Sequence, residues 1–385
     1  MYITRLRLKN WRNFRNLDVE LREFAYIIGP NASGKSNLLD ALRFLHDIAK
    51  PDGGGLQRAL SVRGGVAKIR CLHARTDPEI KIEVWVSDEL DSPTEDWKYE
   101  LGIRSESRGN HRNLVSTERV TRHGKLVVDR PIKADDEDTA LLTQTSLEQI
   151  QANKPFRELA EFFGEISYIH LVPQLLKFSD QIGGNRLEDD PFGQGFLERI
   201  ARSTDATRTA RLKKIEAALK VAVPQFTDLR FKKDDATGRP HLEARYAHYR
   251  PNAGWQREES FSDGTLRLIA LLWSLQESDS VLLMEEPELS LNDAIVREIP
   301  RLLKSARSRG RKQRQVLVTT HSQALLDNAG IDSRQVVLLE VTSEGTTGRL
   351  ANPEELVQLD AGFTPADVLL PKARSAQVGQ VPFWE

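Results

Sequence analysis

GPNASGKS, residues 29–36, follows the short apolar run FAYII (24–28) and precedes NLLDALRFLHDIAK (37–50), in which Leu38, Leu39, Leu42 and Leu45 recur at helical spacing. The order strand, glycine-rich loop, helix is the setting a phosphate loop needs. Gly29 and Gly34 frame four residues and are followed by Lys35 and Ser36. Small residues let successive backbone amides turn inward around an anion, and the helix start adds its positive end. The residues expected to line this loop are Gly29, Asn31, Ala32, Ser33, Gly34, Lys35, Ser36 and Asn37. Lys35 would reach β- and γ-phosphate oxygens, and the Ser36 hydroxyl would ligate Mg²⁺. Upstream, ITRLRLKN (3–10) alternates as a half-buried strand, and WRNFRNLDVELR (11–22) reads as a turn into a second strand.

Three further segments downstream carry candidate chemistry. In VLLMEEPELSL (281–291) a fully apolar strand delivers Glu285 and Glu286 at its carboxyl end, the address where ligands collect in open α/β sheets. One carboxylate can hold a metal and its neighbour can orient or deprotonate water, so Glu285 is assigned to Mg²⁺ and Glu286 to the water. The same pair would also suit the start of the next helix. In SFSDGTLR (260–267) Ser262 is placed as an N-cap, and Gly264 allows close approach of a backbone or a phosphate. In QVLVTTHSQALL (315–326) His321 stands just past a strand end, where it can hydrogen-bond a γ-phosphate or the attacking water, or serve a structural bond.

Together, GPNASGKS, SDGT, VLLMEEPE and TTHS resemble the Walker A, signature, Walker B and switch-histidine elements of ABC-type ATPase heads, and most nearly the RecF/SMC-like subgroup with its small OLD-like and phage-defence members. LKNWRNFRNL (8–17) is similar to that subgroup's first strand and turn. The resemblance covers roughly residues 1 to 50 and 255 to 340 and implies an α/β fold: a P-loop head with a mixed central sheet, an antiparallel β lobe and a helical insertion. It implies ATP and Mg²⁺ as cofactors, Arg12 and Asn13 near the phosphates, and head-to-tail dimers in which Ser262 and Gly264 face the partner's nucleotide. It also makes Gln174 a candidate metal sensor, although a surface glutamine fits equally. Asp263 stands at the signature's first glycine, Thr265 at its usual Gln or Glu, Glu285 where aspartate is commonest, and Asn292 at the usual D-loop aspartate.

Composition narrows the class. With 39% hydrophobic and 29% charged residues the chain reads as a soluble globular protein, and no run approaches the roughly 20 apolar residues of a membrane span. A cytoplasmic location and no membrane partner are expected. The single cysteine, Cys71, agrees with a reducing compartment and is expected to be buried. Basic and acidic residues number 55 and 56, so any DNA contact must be local. The local candidate is RLLKSARSRGRKQR (301–314), with seven basic and no acidic residues, which equally suits a solvated helix end.

The expected organisation is an N-terminal ATPase lobe over 1–130 with antiparallel strands at IKIEVWV, WKYELGI and LVV, and a mainly helical insertion over 131–225. A C-terminal ATPase lobe follows over 226–345, and an extension over 346–385. The insertion lacks the sustained heptads of a long coiled coil. No second acidic constellation supports a nuclease centre, so an effector would be a separate protein. The expected function is a Mg-dependent ATPase whose ATP-sandwiched homodimer, or a higher oligomer built from it, regulates an effector such as a nuclease in anti-phage defence. The alternatives are a RecF-like DNA-binding ATPase in recombination or repair, and a non-hydrolysing ATP-dependent scaffold.

Overall fold

The alternating first strand, β1 (Tyr2–Trp11), buries Ile3, Leu6, Leu8 and Trp11 and pairs antiparallel with β2 (Phe14–Glu20), Trp11 opposite Phe14. The computed structural model describes every residue except 91–94, 107–111, 179–189, 191, 249–253, 278–279, 306–313, 329 and 374–385. By contact the chain forms two compact units, residues 1–167, 280–283 and 313–385 in the first and 168–279 with 284–312 in the second.

Within the first unit, β3 (Phe24–Ile28) is buried at all five positions, as a strand covered on both faces must be. The strands β4 (Ile80–Ser87), β5 (Trp97–Ser105), β6 (Asn113–Arg122) and β7 (Lys125–Arg130) complete an antiparallel sheet of order β2-β1-β4-β5-β6-β7. The helix Lys35–Ala49 buries Leu38, Leu39, Leu42, Phe44, Leu45 and Ile48, and Phe44 packs on Trp11 with ring centroids 5.2 Å apart.

After β8 (Ser167–Ile169), the strands β9 (Phe226–Lys233), β10 (Pro240–Tyr246) and β11 (Gln256–Arg257) make a small antiparallel sheet in the second unit. The helix Asp205–Ala222 lies in the same unit, capped by Thr204 and buried through Leu212, Ile215 and Leu219. Its 18 residues are far short of a coiled-coil arm. The strands β12 (Leu282–Glu285), β13 (Val316–Thr319), β14 (Val336–Thr342) and β15 (Gly345–Arg349) complete a second six-stranded sheet of order β15-β14-β3-β13-β12-β8. At its centre β13 and β14 flank β3 in parallel, with Thr319 beside Ile27 and Leu338 beside Ile28. The division between the units falls after Leu283 in β12 and after Ser167 in β8.

This division is drawn differently from the expected lobes. Residues 131–167 belong with the first unit, and the cause is Glu118 on β6, whose side chain is fully buried. Its carboxylate accepts from the amides of Ser146 (2.6 Å) and Leu147 (3.1 Å), from the Tyr99 hydroxyl (3.1 Å) and from Arg130 (3.2 Å). Burial and this carboxylate push the Tyr99 hydroxyl well above its ordinary pKa. A buried carboxylate with four donors ties its elements together because losing it orphans all four. Glu118→Ala should therefore cost about 3 kcal/mol, read as a lowered urea midpoint. The expected extension from 346 likewise begins inside β15, which pairs with β14 through the hairpin.

Candidate functional site

The loop after β3 has a backbone that few residues accept. A Cβ on Gly29 would lie 2.6 Å from Ser33 Oγ and 2.9 Å from the Leu339 carbonyl. Gly34, at φ +94°, would meet the Asn13 side chain at 2.3 Å, and Ala32 also takes a left-handed φ of +63°. Only glycine fits both constraints at Gly34. The helix Lys35–Ala49 starts there with no side-chain cap, leaving its first turn suited to an anion. Lys35 is buried and folds back, its ammonium donating to the carbonyls of Gly29 and Pro30, both at 3.1 Å. Ser33 Oγ is buried without a hydrogen-bond partner among the described residues. A close backbone cradle, a buried ammonium on weak carbonyl partners and an orphaned hydroxyl together fit a phosphate chain.

Asn13 holds this loop in place. Its amide nitrogen donates to the Ser33 carbonyl (2.7 Å) and to Thr346 Oγ1 (2.6 Å), while Asn37 donates to its oxygen (2.8 Å). The Trp11 indole in turn donates to the Asn37 carbonyl at 2.8 Å. Asn13, Asn37 and Trp11 thus brace the loop from behind. Arg12 takes a φ of +54° and pairs with Asp40 at 3.1 Å. Thr346, Trp11 and Asp40 were not candidates from sequence, since no motif spacing marks them.

His321 is exposed just beyond the carboxyl end of β13. The Thr320 amide donates to the Ile27 carbonyl (3.2 Å), so His321 emerges beside the strand that ends at the loop. Thr320 Oγ1 accepts from Ser322 N (3.0 Å) and Ser322 Oγ from Leu325 N (3.2 Å), which fixes the turn carrying the histidine.

In the second unit Glu285 ends β12, and Glu286 follows at φ +41°, a conformation costing a non-glycine residue about 1–3 kcal/mol. His170 Nδ1 lies 3.8 Å from Glu285 Oε2, and no sequence signal marked it. Ser262 is exposed and caps the helix Asp263–Ser274, accepting from Thr265 N at 3.1 Å. A Cβ on Gly264 would come within 2.5 Å of the Ser290 carbonyl, so the glycine lets the segment after the acidic pair pack against the helix start. Asn292 caps the next helix through Ala294 N at 2.9 Å. Arg267, on the same helix, lines a cavity with Glu285, Met284 and Leu271, and burial lowers its pKa against the pull of Asp263, Glu286 and Glu288.

Gln174 and the end of the basic segment have partners that no sequence spacing marks. The Gln174 amide donates to Asp263 Oδ2 at 2.7 Å, so the structure brings it to the signature residue. Arg314, expected near a helix end and loop, donates to the Ser280 carbonyl and Ser167 Oγ, each at 2.6 Å. Residues 306–313 of that segment lie outside the described residues. Among the described residues no three His, Cys, Asp or Glu side chains converge as a metal cage. Ser36 in the first unit and Glu285 in the second each carry a hard oxygen donor of the kind Mg²⁺ takes.

A family model described as AAA_21, "AAA domain, putative AbiEii toxin, Type IV TA system", matches residues 24–327. A DNA replication and repair protein RecF from Roseiflexus castenholzii is 33% identical over 94 residues, 22% of this chain and 24% of the relative. RecF from Chlamydia caviae is 52% identical over 46 residues, 12% of each chain. The matched segments thus span a quarter or less of these relatives. The fold is similar to an Smc head solved bound to the C-winged helix domain of ScpA, with a TM-score of 0.56 and 17% identity over 92% of this chain and 100% of that one.

Proposed function

Because the chain belongs to the AAA_21 family and has the RecF/SMC-like ABC-type ATPase fold, we propose that it is a Mg-dependent ATPase whose ATP-driven head dimerisation regulates a separate effector. The observation that carries this reading is the loop Gly29–Ser36, whose tight backbone and back-folded Lys35 suit a triphosphate. Lys35 exchanges its two carbonyl partners for β- and γ-phosphate oxygens. Ser36 and Glu285 are the residues that would hold Mg²⁺, which would supply charge neutralisation to the phosphates when bound. Glu286 takes the proton of a water attacking the γ-phosphorus as the bond to ADP breaks, and His321 holds the γ-phosphate. Ser262 and Gly264 are offered to the nucleotide of a second copy, closing a homodimer. The family description as a putative toxin of a type IV toxin–antitoxin system supports a defence setting, with a nuclease as the effector class.

A second reading, a DNA-binding ATPase of recombination or repair, draws on the 94-residue match to RecF. DNA-stimulated turnover in the absence of any effector would favour it.

The test is solution mass and phosphate release with and without Mg-ATP, on wild type and Ser262→Arg. Wild type should gain mass with ATP and release phosphate. Ser262→Arg should bind nucleotide but stay small and lose turnover by about a hundredfold, the cost of a misplaced catalytic group. Absence of nucleotide binding by wild type would overturn the ATPase reading. Normal turnover by Ser262→Arg would remove the shared site.

A further inference from the structure

Thr346, the second residue of β15, belongs to no motif and is buried to 3% exposure. Its hydroxyl oxygen accepts from Asn13 Nδ2 at 2.6 Å, and its backbone N–H donates to the Asn13 carbonyl at 2.9 Å. One residue is thus gripped by side chain and by backbone. Gly345 makes the approach possible, since at φ +114° a Cβ there would stand 2.7 Å from the same Asn13 carbonyl. The turn before it is closed by Thr342 Oγ1, which donates to the Gly345 carbonyl (2.7 Å) and accepts from Glu344 N (3.2 Å). Thr346 is therefore offered from a fixed hairpin.

The other half of the Asn13 amide serves the phosphate loop. A carbonyl only accepts, so the Ser33 carbonyl fixes the amide nitrogen toward the loop, with one N–H on Ser33 (2.7 Å) and the second on Thr346. The Asn13 side chain also fills the space that a Cβ on Gly34 would need. A change in its rotamer would shift the peptide that joins Ser33 to Gly34, and that peptide is part of the anion cradle. Asn37, which holds the Asn13 oxygen at 2.8 Å, lies on the helix that the loop opens into and moves with it. Thr346 comes instead from β15, which pairs with β14, itself paired with β3 in the central sheet. It supplies the fixed reference against which Asn13 is set.

We propose that Thr346 is a positioning residue for the nucleotide site: acting through Asn13, it holds the Ser33–Gly34 peptide in the shape that receives phosphate. This inference rests on the nucleotide reading given above and adds to it a residue of the C-terminal hairpin. A site whose supporting shell is loosened pays an ordering cost on binding, so the effect belongs in affinity.

The experiment is titration of a fluorescent ATP analogue into wild type, Thr346→Val, Thr346→Ser, Asn13→Ala and the Asn13→Ala/Thr346→Val double variant, with the urea midpoint measured on each. Valine keeps the volume and the branched stem that suit a strand but removes the oxygen. Thr346→Val should weaken affinity by about three- to tenfold, the value of one hydrogen bond. Thr346→Ser, which restores an acceptor, should bind within about twofold of wild type, and the double variant within about twofold of Asn13→Ala alone. Thr346→Ala, read in the same way, stands in if the valine variant does not fold. A merely structural role would lower the urea midpoint of Thr346→Val and leave the folded protein binding as tightly as wild type, and that result overturns the proposal. So do multiplying losses in the double variant, or a serine variant no better than valine. If wild type itself binds no nucleotide, the ATPase reading fails and takes this inference with it, an outcome distinct from tight binding that Thr346→Val leaves untouched.

Discussion

Glu286→Gln should cut ATP turnover by about 100- to 10,000-fold while leaving nucleotide affinity within about threefold. The amide keeps the volume and reach of the carboxylate but cannot take a proton from water, so the change falls on the chemical step. The backbone makes the substitution clean. Glu286 already sits at φ +41°, and glutamine bears that conformation no worse than glutamate. Arg267 is electrostatically coupled to Glu286, and its charge remains to hold the neighbourhood. Steady-state phosphate release, single-turnover kinetics and solution mass on one preparation read the result. The variant should accumulate as the ATP-bound dimer, since closure precedes hydrolysis in the proposed cycle. Normal turnover would remove Glu286 as the base and turn attention to His321 or Glu285.

The parts of this protein that were legible in its sequence are those whose constraint is local. Gly34 must accept φ +94°, FAYII must be buried on both faces, and Ser262 must cap its own helix, and each requirement leaves a residue type at a fixed position. What escaped notice depends on contacts between distant positions. Asn13 meets Thr346 across 333 residues and Gln174 meets Asp263 across 89, separations that no periodicity encodes. Asn13, expected near the phosphates, donates to the Ser33 carbonyl of the loop itself. Across the expected boundary at 130, Glu118 accepts from the amides of Ser146 and Leu147, a link that no local pattern marks. Arg314 read as part of a basic run suited to DNA or solvent because sequence shows charge but not direction; its guanidinium donates to the Ser280 carbonyl and Ser167 Oγ. Functional motifs are short because phosphate chemistry is short-ranged. The frame that aims them is assembled over the whole chain.

Lys35→Ala should abolish measurable ATP turnover and weaken ATP binding by about 10- to 100-fold, the value of a charge-assisted hydrogen bond to phosphate. Its effect on the free protein should be small, and the contrast makes the prediction specific. In the absence of nucleotide the Lys35 ammonium is buried and donates to the carbonyls of Gly29 and Pro30, so its desolvation offsets much of what those bonds contribute. Alanine removes both terms together, and the helix that begins at residue 35 favours it. The denaturation midpoint without ATP should therefore move by no more than about 1 kcal/mol equivalent. With Mg-ATP at about a hundred times the wild-type dissociation constant, wild type should gain about 2.7 kcal/mol of stability and the variant much less. A variant that loses the same stability with and without ATP would show Lys35 to be a structural residue. A variant stabilised as strongly as wild type would place the phosphates elsewhere, and the loop Gly29–Ser36 would then lose its assignment along with the reading built on it.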